Sequence, residues 1–432
     1  MHAARGILHA VALLALLSGC GNRYFPDSAP SRTLVQLVLS PASLVLAPGE
    51  TQQFTVSGTR SDGSGTVPAV TYSATGGTIT AGGLYTAGAT EGTFSVIATQ
   101  QGGTRADTSA VTLLPSLRVL AAARGFTVGT AVNLAALVAD SRYRQMVGWQ
   151  FNSVAAEDVM KFAYVHPAPT QYTFGDADSV VAFAQVNGMA IHGHTLVWHG
   201  ALPGWITNGT FTKAQLLAVL KDHIMTVVGH YRGKVATWDV VNEVMGDNGG
   251  SLRSTIWLST IGPEFIDSAF VWAHRADPVA KLYLNDFGAE SISPKADSIL
   301  QLVEGLRARG VPIDGVGFQA HFSLSPPAAS SVRANFGRFA AAGFDVRVSE
   351  MDVRIADGAG SAEFATQGAI YHDVLDACLL LTRCTGFTAW GFTDLHSWIP
   401  SAFPGFGRAL PFDSAYQAKA AFDSLVARLQ QP

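Results

Sequence analysis

The sequence predicts an α/β fold, a (β/α)8 barrel, preceded by a small all-β sandwich. Three observations carry this expectation. From about residue 117, short apolar β-branched runs alternate with longer amphipathic stretches, the rhythm of a parallel sheet covered by helices. Eight such runs occur, the number that closes a barrel. Ahead of them, residues 34–114 are rich in Thr, Ser, Gly and Val and show period-two alternation between glycine turns, the pattern of short antiparallel strands.

Composition sets the outer limits. A chain of 432 residues exceeds one ordinary domain unless most of it is a large barrel, and 48% hydrophobic residues allow a large core. The net charge is −4 and no basic stripe appears, which excludes nucleic acid as a natural partner. The three cysteines, Cys20, Cys378 and Cys384, suit an exported protein with at most one internal disulfide.

In chain order, residues 1–19 read as a signal peptide. Arg5 precedes a run from Ile7 to Leu17 that is apolar except for His9, and Leu17-Ser18-Gly19-Cys20 follows. The run is too short to span a membrane. Leu-Ser-Gly-Cys resembles a bacterial lipobox, which implies lipidation of Cys20 and an anchor on the membrane surface. Residues 20–33, with Pro26 and Pro30, read as a tether. In residues 34–114, "LAPGETQQFTVSGTRSDGS" and "GGLYTAG" resemble a bacterial immunoglobulin-like domain. The segment reads as a spacer. Binding glycan would need exposed aromatics, and Tyr72, Tyr85 and two phenylalanines are equally suited to its core.

The barrel, residues 117–432, has strand candidates at 127–132, 148–152, 190–197, 235–241, 281–284, 315–319, 345–348 and 386–391. Helical stretches fall between them, at 177–187, 212–231, 261–276, 296–309 and 330–342, with a last helix at 415–429. Polar groups on the C-terminal ends of barrel strands reach the face where such barrels do chemistry. Here the second strand is followed by Glu157, Asp158 and Lys161. The third delivers His194, Trp198 and His199, and the fourth Asn242 and Glu243. The fifth delivers Asn285 and Asp286, the sixth Gln319 and His321, the seventh Glu350 and Asp352. Trp390, Asp394, His396 and Trp398 follow the eighth. Each residue alone has an ordinary structural explanation. Their concentration on one rim suits a sugar, which needs polar groups for hydroxyls and flat rings for pyranose faces. Two carboxylates on separate strand ends are the minimum equipment for cleaving a glycosidic bond.

His192, His194 and His199 raise the alternative of a metal site, since residues 192 and 194 share one face of a strand. Their setting beside Trp198 and the run Trp238-Asp239-Val240-Val241-Asn242-Glu243 does not match a metal-dependent hydrolase, so no metal is expected.

The motifs "GTAV", "FNSVAAEDVMK", "GHTLVWH" with "LPGW", "WDVVNE", "LYLNDF", "VGFQAHF", "VSEMD" and "TAWGFTDLHSW" occur in one order across residues 117–430. In these the chain closely resembles glycoside hydrolase family 10, the retaining endo-β-1,4-xylanases. The closing "ALPFDSAYQAKAAF" is similar too. The resemblance implies a (β/α)8 TIM barrel that hydrolyses xylan without a cofactor. It implies Glu243 as general acid/base, Glu350 as nucleophile and Asn242 on the 2-hydroxyl of the reacting sugar. His321 would bond the nucleophile and be oriented by Asp352. Glu157, Lys161, His194, Trp198, Gln319, Trp390 and Trp398 would line the substrate subsites, with Asp158 beside them. Cys378 and Cys384 match a disulfide found in many members. The mechanism requires Glu350 ionised and Glu243 protonated when the bond breaks.

Four positions depart from the family pattern. Asp158 stands where asparagine is usual, Phe162 where tryptophan is common and His192 where arginine is common. Phe287-Gly288 replaces Tyr-Asn. Two other functions are compatible with the sequence, a β-1,4-glucanase and a surface glycan-binding lipoprotein without catalysis. The expected partners are xylan or xylo-oligosaccharides, with membrane contact only through the lipid. A monomer exported to the cell envelope, anchored at the outer membrane or secreted, is expected.

Overall fold

The structure, a computed structural model, describes residues 32–432. The expected signal peptide, Cys20 and nearly all of the tether lie outside the described residues.

Eight parallel strands close a TIM barrel. They are β1 (Thr127–Val132), β2 (Ser153–Ala156), β3 (Ala190–Gly193), β4 (Thr237–Asn242), β5 (Lys281–Asp286), β6 (Gly315–Phe318), β7 (Asp345–Ala356) and β8 (Cys384–Ala389). Each pairs with its sequence neighbours, and β1 closes on β8 with Thr127 opposite Gly386. The strands are buried on both faces, hence their apolar runs. Helices Lys213–His230, Glu264–Ala276, Pro294–Ala308 and Ala329–Ala341 cover them, near the positions that periodicity predicts.

Strand β7 differs from the others in length. Its twelve residues run past the barrel rim, where it pairs with His321–Ser323 on one side and Phe406–Gly407 on the other. It carries side chains both on the barrel floor and on the wall above.

The expected second strand is displaced. Residues 148–152 do not form a strand: Gly148 to Gln150 end the helix Ser141–Gln150, and β2 begins at Ser153. Asp140 caps that helix, accepting from the backbone N–H of Arg142 and Tyr143. Tyr143, Met146, Val147 and Gln150 then fall on its buried face. The last helix is shorter than expected, Ala420–Gln430, because residues 411–418 make a looped bridge in which Phe412 pairs with Thr393 and Ala418.

Residues 34–113 form separate small sheets. The largest orders Ser43–Leu46, Ala106–Leu113, Gly92–Gln100 and Val70–Ala74. Leu39, Leu46, Phe54, Tyr85, Val96 and Val111 make their core. Tyr72 and Phe94 pack against it, so all four expected aromatics serve the interior. The region meets the barrel where Arg142 Nη2 donates to the Val45 carbonyl at 2.9 Å. A cavity of about 570 Å³ lies at this junction, lined by Pro48, Glu91, Arg118 and Trp149 among others. Among the described residues no helix is long and apolar enough to cross a membrane.

Candidate active site

The C-terminal ends of the strands enclose a cleft of about 440 Å³. Lys161, His194, Trp198, Asn242, Glu243, Gln319, His321, Glu350, Trp390 and Trp398 all line it. Ten of the expected site residues therefore meet in one place, although they come from six strand ends.

Glu243 follows β4 with φ +55°, a left-handed conformation that non-glycine residues seldom adopt. Its N–H donates to the Asn285 carbonyl at 2.8 Å, and Arg253 Nε donates to its own carbonyl at 3.0 Å. These bonds hold the strained turn that presents the carboxylate to the cleft. Gln319 Nε2 donates to Glu243 Oε1 at 3.2 Å, and His199 Nε2 stands 3.8 Å from Oε2.

Glu350, 5% exposed, is held from three sides. Asn285 Nδ2 donates to Oε1 at 2.6 Å, His321 Nε2 to Oε2 at 3.2 Å, and His194 Nδ1 lies 3.7 Å from Oε1. Burial works to raise the Glu350 pKa. The charge of His194 and the bond and charge of His321 outweigh it, and the carboxyl is held below its ordinary range. His321 in turn donates from Nδ1 to Asp352 Oδ2 at 2.8 Å. Burial would lower the His321 pKa, but the two carboxylates beside it raise it to about 10. Asp352 Oδ2 also accepts from Trp398 Nε1 at 2.8 Å, which fixes that ring against the cleft wall.

The amides connect the two carboxylates. Asn242 Oδ1 accepts from Asn285 Nδ2 at 2.9 Å and from Gln319 Nε2 at 3.3 Å. Asn242 Nδ2 is buried and makes no hydrogen bond among the described residues. A buried donor without a partner costs about 1–3 kcal/mol, and this N–H stands free beside the cleft that Asn242 lines. Asn285 is oriented by Ser349 Oγ, which donates to its Oδ1 at 2.6 Å. The room for it comes from Gly317 on β6, where a Cβ would meet Asn285 Oδ1 at 2.3 Å.

Below this layer, Asp239 Oδ2 accepts from His192 Nε2 at 2.8 Å and His194 Nδ1 at 2.9 Å. Burial pushes the Asp239 pKa up, but the two imidazoles hold it well below the carboxylate range. The paired histidines thus serve a carboxylate. Ligating atoms of His194, Asp239 and Glu350 lie within 4.8 Å of one another. The His194 Nδ1 bond to Asp239 and the Asn285 bond to Glu350 Oε1 already engage this group.

On the side of β2, Glu157 accepts from Asn133 Nδ2 at 3.1 Å, and burial raises its pKa. Lys161 Nζ donates to Asp158 at 2.8 Å and lies 5.3 Å from the Trp198 ring centroid. The unusual Asp158 is therefore answered by a cation. His192, also unusual, is used in full, since its Nδ1 meets Thr237 Oγ1 at 2.5 Å. Gly288 takes φ +67° with open space around it. Trp390 packs edge-on against His194, centroids 5.0 Å apart. Cys378 and Cys384 are joined in a disulfide, Cα atoms 5.3 Å apart, between a helix end and the start of β8.

Asp239, Ser349, Arg354 and Phe403 were not legible as site residues. Asp239 had one available signal, an acid inside an otherwise apolar strand.

Comparison with known proteins agrees with this geometry. Residues 116–428 match the model of Glycosyl hydrolase family 10. Endo-1,4-beta-xylanase B of Thermotoga neapolitana is 40% identical over 306 residues, 70% of this chain and 88% of the relative. Endo-1,4-beta-xylanase A of Phanerodontia chrysosporium is 37% identical over 319 residues, 73% of this chain and 78% of the relative. The crystal structure of xylanase 10B from Thermotoga petrophila RKU-1 in complex with xylobiose superposes with a TM-score of 0.72. It is 41% identical and covers 73% of this chain and 98% of its own. With the motifs, the barrel and the family model all spanning the same residues, the chain belongs to glycosyl hydrolase family 10.

Proposed function

We propose that the protein is an endo-β-1,4-xylanase that cleaves by double displacement, with Glu243 as acid/base and Glu350 as nucleophile. The observation that carries it is the asymmetry of the two carboxylates. Glu350 is buried yet held below the ordinary carboxylate range by His194 and His321, whereas Glu243 is half-buried on a strained turn facing the cleft. A nucleophile must be an anion at the start, and an acid must reach the leaving oxygen.

In the first step Glu350 Oε attacks the anomeric carbon and a C–O bond to the enzyme forms. The glycosidic bond breaks, and Glu243 gives its proton to the departing oxygen. Esterification removes the negative charge of Glu350, and the Glu243 carboxylate then takes a proton from water. That water attacks the anomeric carbon and releases Glu350. Asn242 Nδ2, the unpartnered donor, bonds the 2-hydroxyl, a contact that strengthens in an oxocarbenium-like transition state. Glu157, Lys161, His194 and Gln319 hold hydroxyls, and Trp198, Trp390 and Trp398 supply flat faces. Similarity to proteins named endo-1,4-beta-xylanase and to one bound to xylobiose supports xylan over a glucan.

The test is product release from linear β-1,4-xylan and from soluble β-glucan, beside Glu350→Ala. Xylo-oligosaccharides that vanish in the variant are expected. Preference for glucan would move the activity to that polymer. Retention of xylan without products from the wild type would make the protein a binder.

In the same reading, residues 34–114 are an immunoglobulin-like spacer, and the protein is a monomer tethered through lipidated Cys20 or secreted. The aromatics of the sandwich lie in its core, which supports a spacer. Cys20→Ser should move the protein from the membrane to the soluble fraction. Unchanged fractionation would refute the anchor. Light scattering giving a mass above one chain would refute the monomer.

A further inference from the structure

Arg354 stands in the cleft and takes no part in the mechanism above. Glu350, Asp352 and Arg354 occupy every second position of β7 and so share one face of the strand. Glu350 and Asp352 serve the reacting centre. Arg354 lies about 13 Å beyond Glu350 and about 7 Å beyond Asp352 along the strand, at ~3.3 Å per residue, on the wall above the floor, and it lines the same cleft. Its guanidinium carbon lies 4.3 Å from the Phe403 ring centroid, and Nη1 donates to the Phe322 carbonyl at 3.4 Å. Phe403 packs against Trp398, centroids 5.7 Å apart. The side chain is therefore held in place by the wall that positions Trp398.

The cleft lysine, Lys161, is paired with Asp158, and nearby Arg253 is paired with Asp247. Arg354 makes no ion pair among the described residues. One long bond and one aromatic face leave most of its five N–H donors free. A fixed planar fork matches a carboxylate, which can accept two parallel bonds. The floor of the cleft, with Glu243 and Glu350, repels an anion. Arg354 stands apart from that floor, on the cleft wall.

We propose that Arg354, backed by Phe403, is a specificity-determining residue that binds the carboxylate of a uronic-acid branch on the polysaccharide. This rests on the polysaccharide-hydrolase reading of the same cleft. The experiment compares kcat/KM on three xylo-oligosaccharides of one length: unbranched, carrying a single uronic acid, and carrying the same branch with its carboxyl reduced to an alcohol. Arg354→Met should lose about fivefold more on the acidic substrate than on the unbranched one, the size of a charge-assisted bond partly open to water. Arg354→Lys should fall between. The wild type should favour the acidic branch over its reduced form.

Equal losses on acidic and unbranched substrates would overturn the proposal and make Arg354 a wall support. So would equal rates of the wild type on the acidic and reduced branches, a result that needs no variant to fold. Calorimetric binding of the acidic oligosaccharide to Glu350→Ala, with and without Arg354→Met, gives a readout free of turnover. A fivefold weaker affinity supports the site even if the wild type hydrolyses nothing, and that last result would sink only the xylanase reading.

Discussion

The sandwich and the C-terminal end of the barrel are both well buried, and they bury opposite things. The sandwich interior is Leu, Val, Ala, Phe and Tyr, and Ser109 is its one buried polar residue among the described residues. The barrel end buries His192, His194, Asp239, Asn242, Asn285, Gln319, Glu350 and Asp352. Tyr85 shows the rule on the sandwich side, with its ring in the core and its hydroxyl donating to the Gly76 carbonyl at 2.8 Å. On the barrel side whole charges are buried: Asp239 is met by His192 and His194, and Glu350 and Asp352 share His321. Burying paired charges stabilises little or costs stability against an apolar core. The difference teaches that the barrel end is shaped for positioning and the sandwich for cohesion.

Several experiments would break or sharpen that contrast. The largest effect is expected from Glu350→Gln, which keeps the shape and removes the nucleophile; kcat on linear xylan should fall by about 10⁴-fold or more. Steady-state assays that find less than a hundredfold loss would mean that the buried carboxylate is structural. Asp239→Ala comes next. It leaves two buried imidazoles without their shared acceptor, so we expect a loss of about 3–5 kcal/mol in unfolding free energy. Activity should fall with it, through the displaced His194. Denaturant titration with an unchanged midpoint would show that the lower layer is dispensable.

Tyr85→Ala should act on the other side of the comparison. Removing a fully buried aromatic costs about 3 kcal/mol or more. The expected result is an earlier melting step for the sandwich, with kcat/KM on soluble xylan within about twofold of wild type. A parallel fall in activity would show that the two regions are coupled through the junction at Arg142 and Val45.

Acidity offers a finer test. The folded pKa of His321 is raised to about 10 from an ordinary 6.5, so its contribution to stability is complete below about pH 6.5. It is lost as pH climbs toward 10. Melting temperatures of wild type and His321→Asn should therefore differ most near pH 6 and converge by pH 10. A gap that stays constant would mean that the charge contributes nothing. The smallest change is expected from Asp158→Asn. It frees Lys161 from a half-exposed ion pair, and KM for linear xylan should shift by no more than a few-fold.

Much of this is legible in the sequence. Strands such as β1 and β6 show in their apolar runs, because a parallel strand covered on both faces cannot hide its composition. Glu243 and Glu350 stand out because a carboxylate closing such a run has few structural excuses. The helix Ser361–Leu379 was less legible, since Gln367 and Gly368 lie on its buried face and blur the periodicity. The expected strand at 148–152 failed because an aromatic-rich run of five residues is compatible with either element, and Asp140, eight residues upstream of Gly148, decided for the helix.

The sequence by itself determined the barrel, the all-β region before it, the two catalytic candidates and most of the residues around them. These follow from local pattern and from motif order, which a linear chain carries intact. Only the tertiary structure decided what each polar group touches. It placed Asp239 beneath His194, left Asn242 Nδ2 without a partner among the described residues and gave Asp158 to Lys161. It also set Arg354 on the cleft wall with no ion pair among the described residues. Residues far apart in the chain meet only when the barrel closes, and the charge state of a buried group is fixed by its neighbours in space.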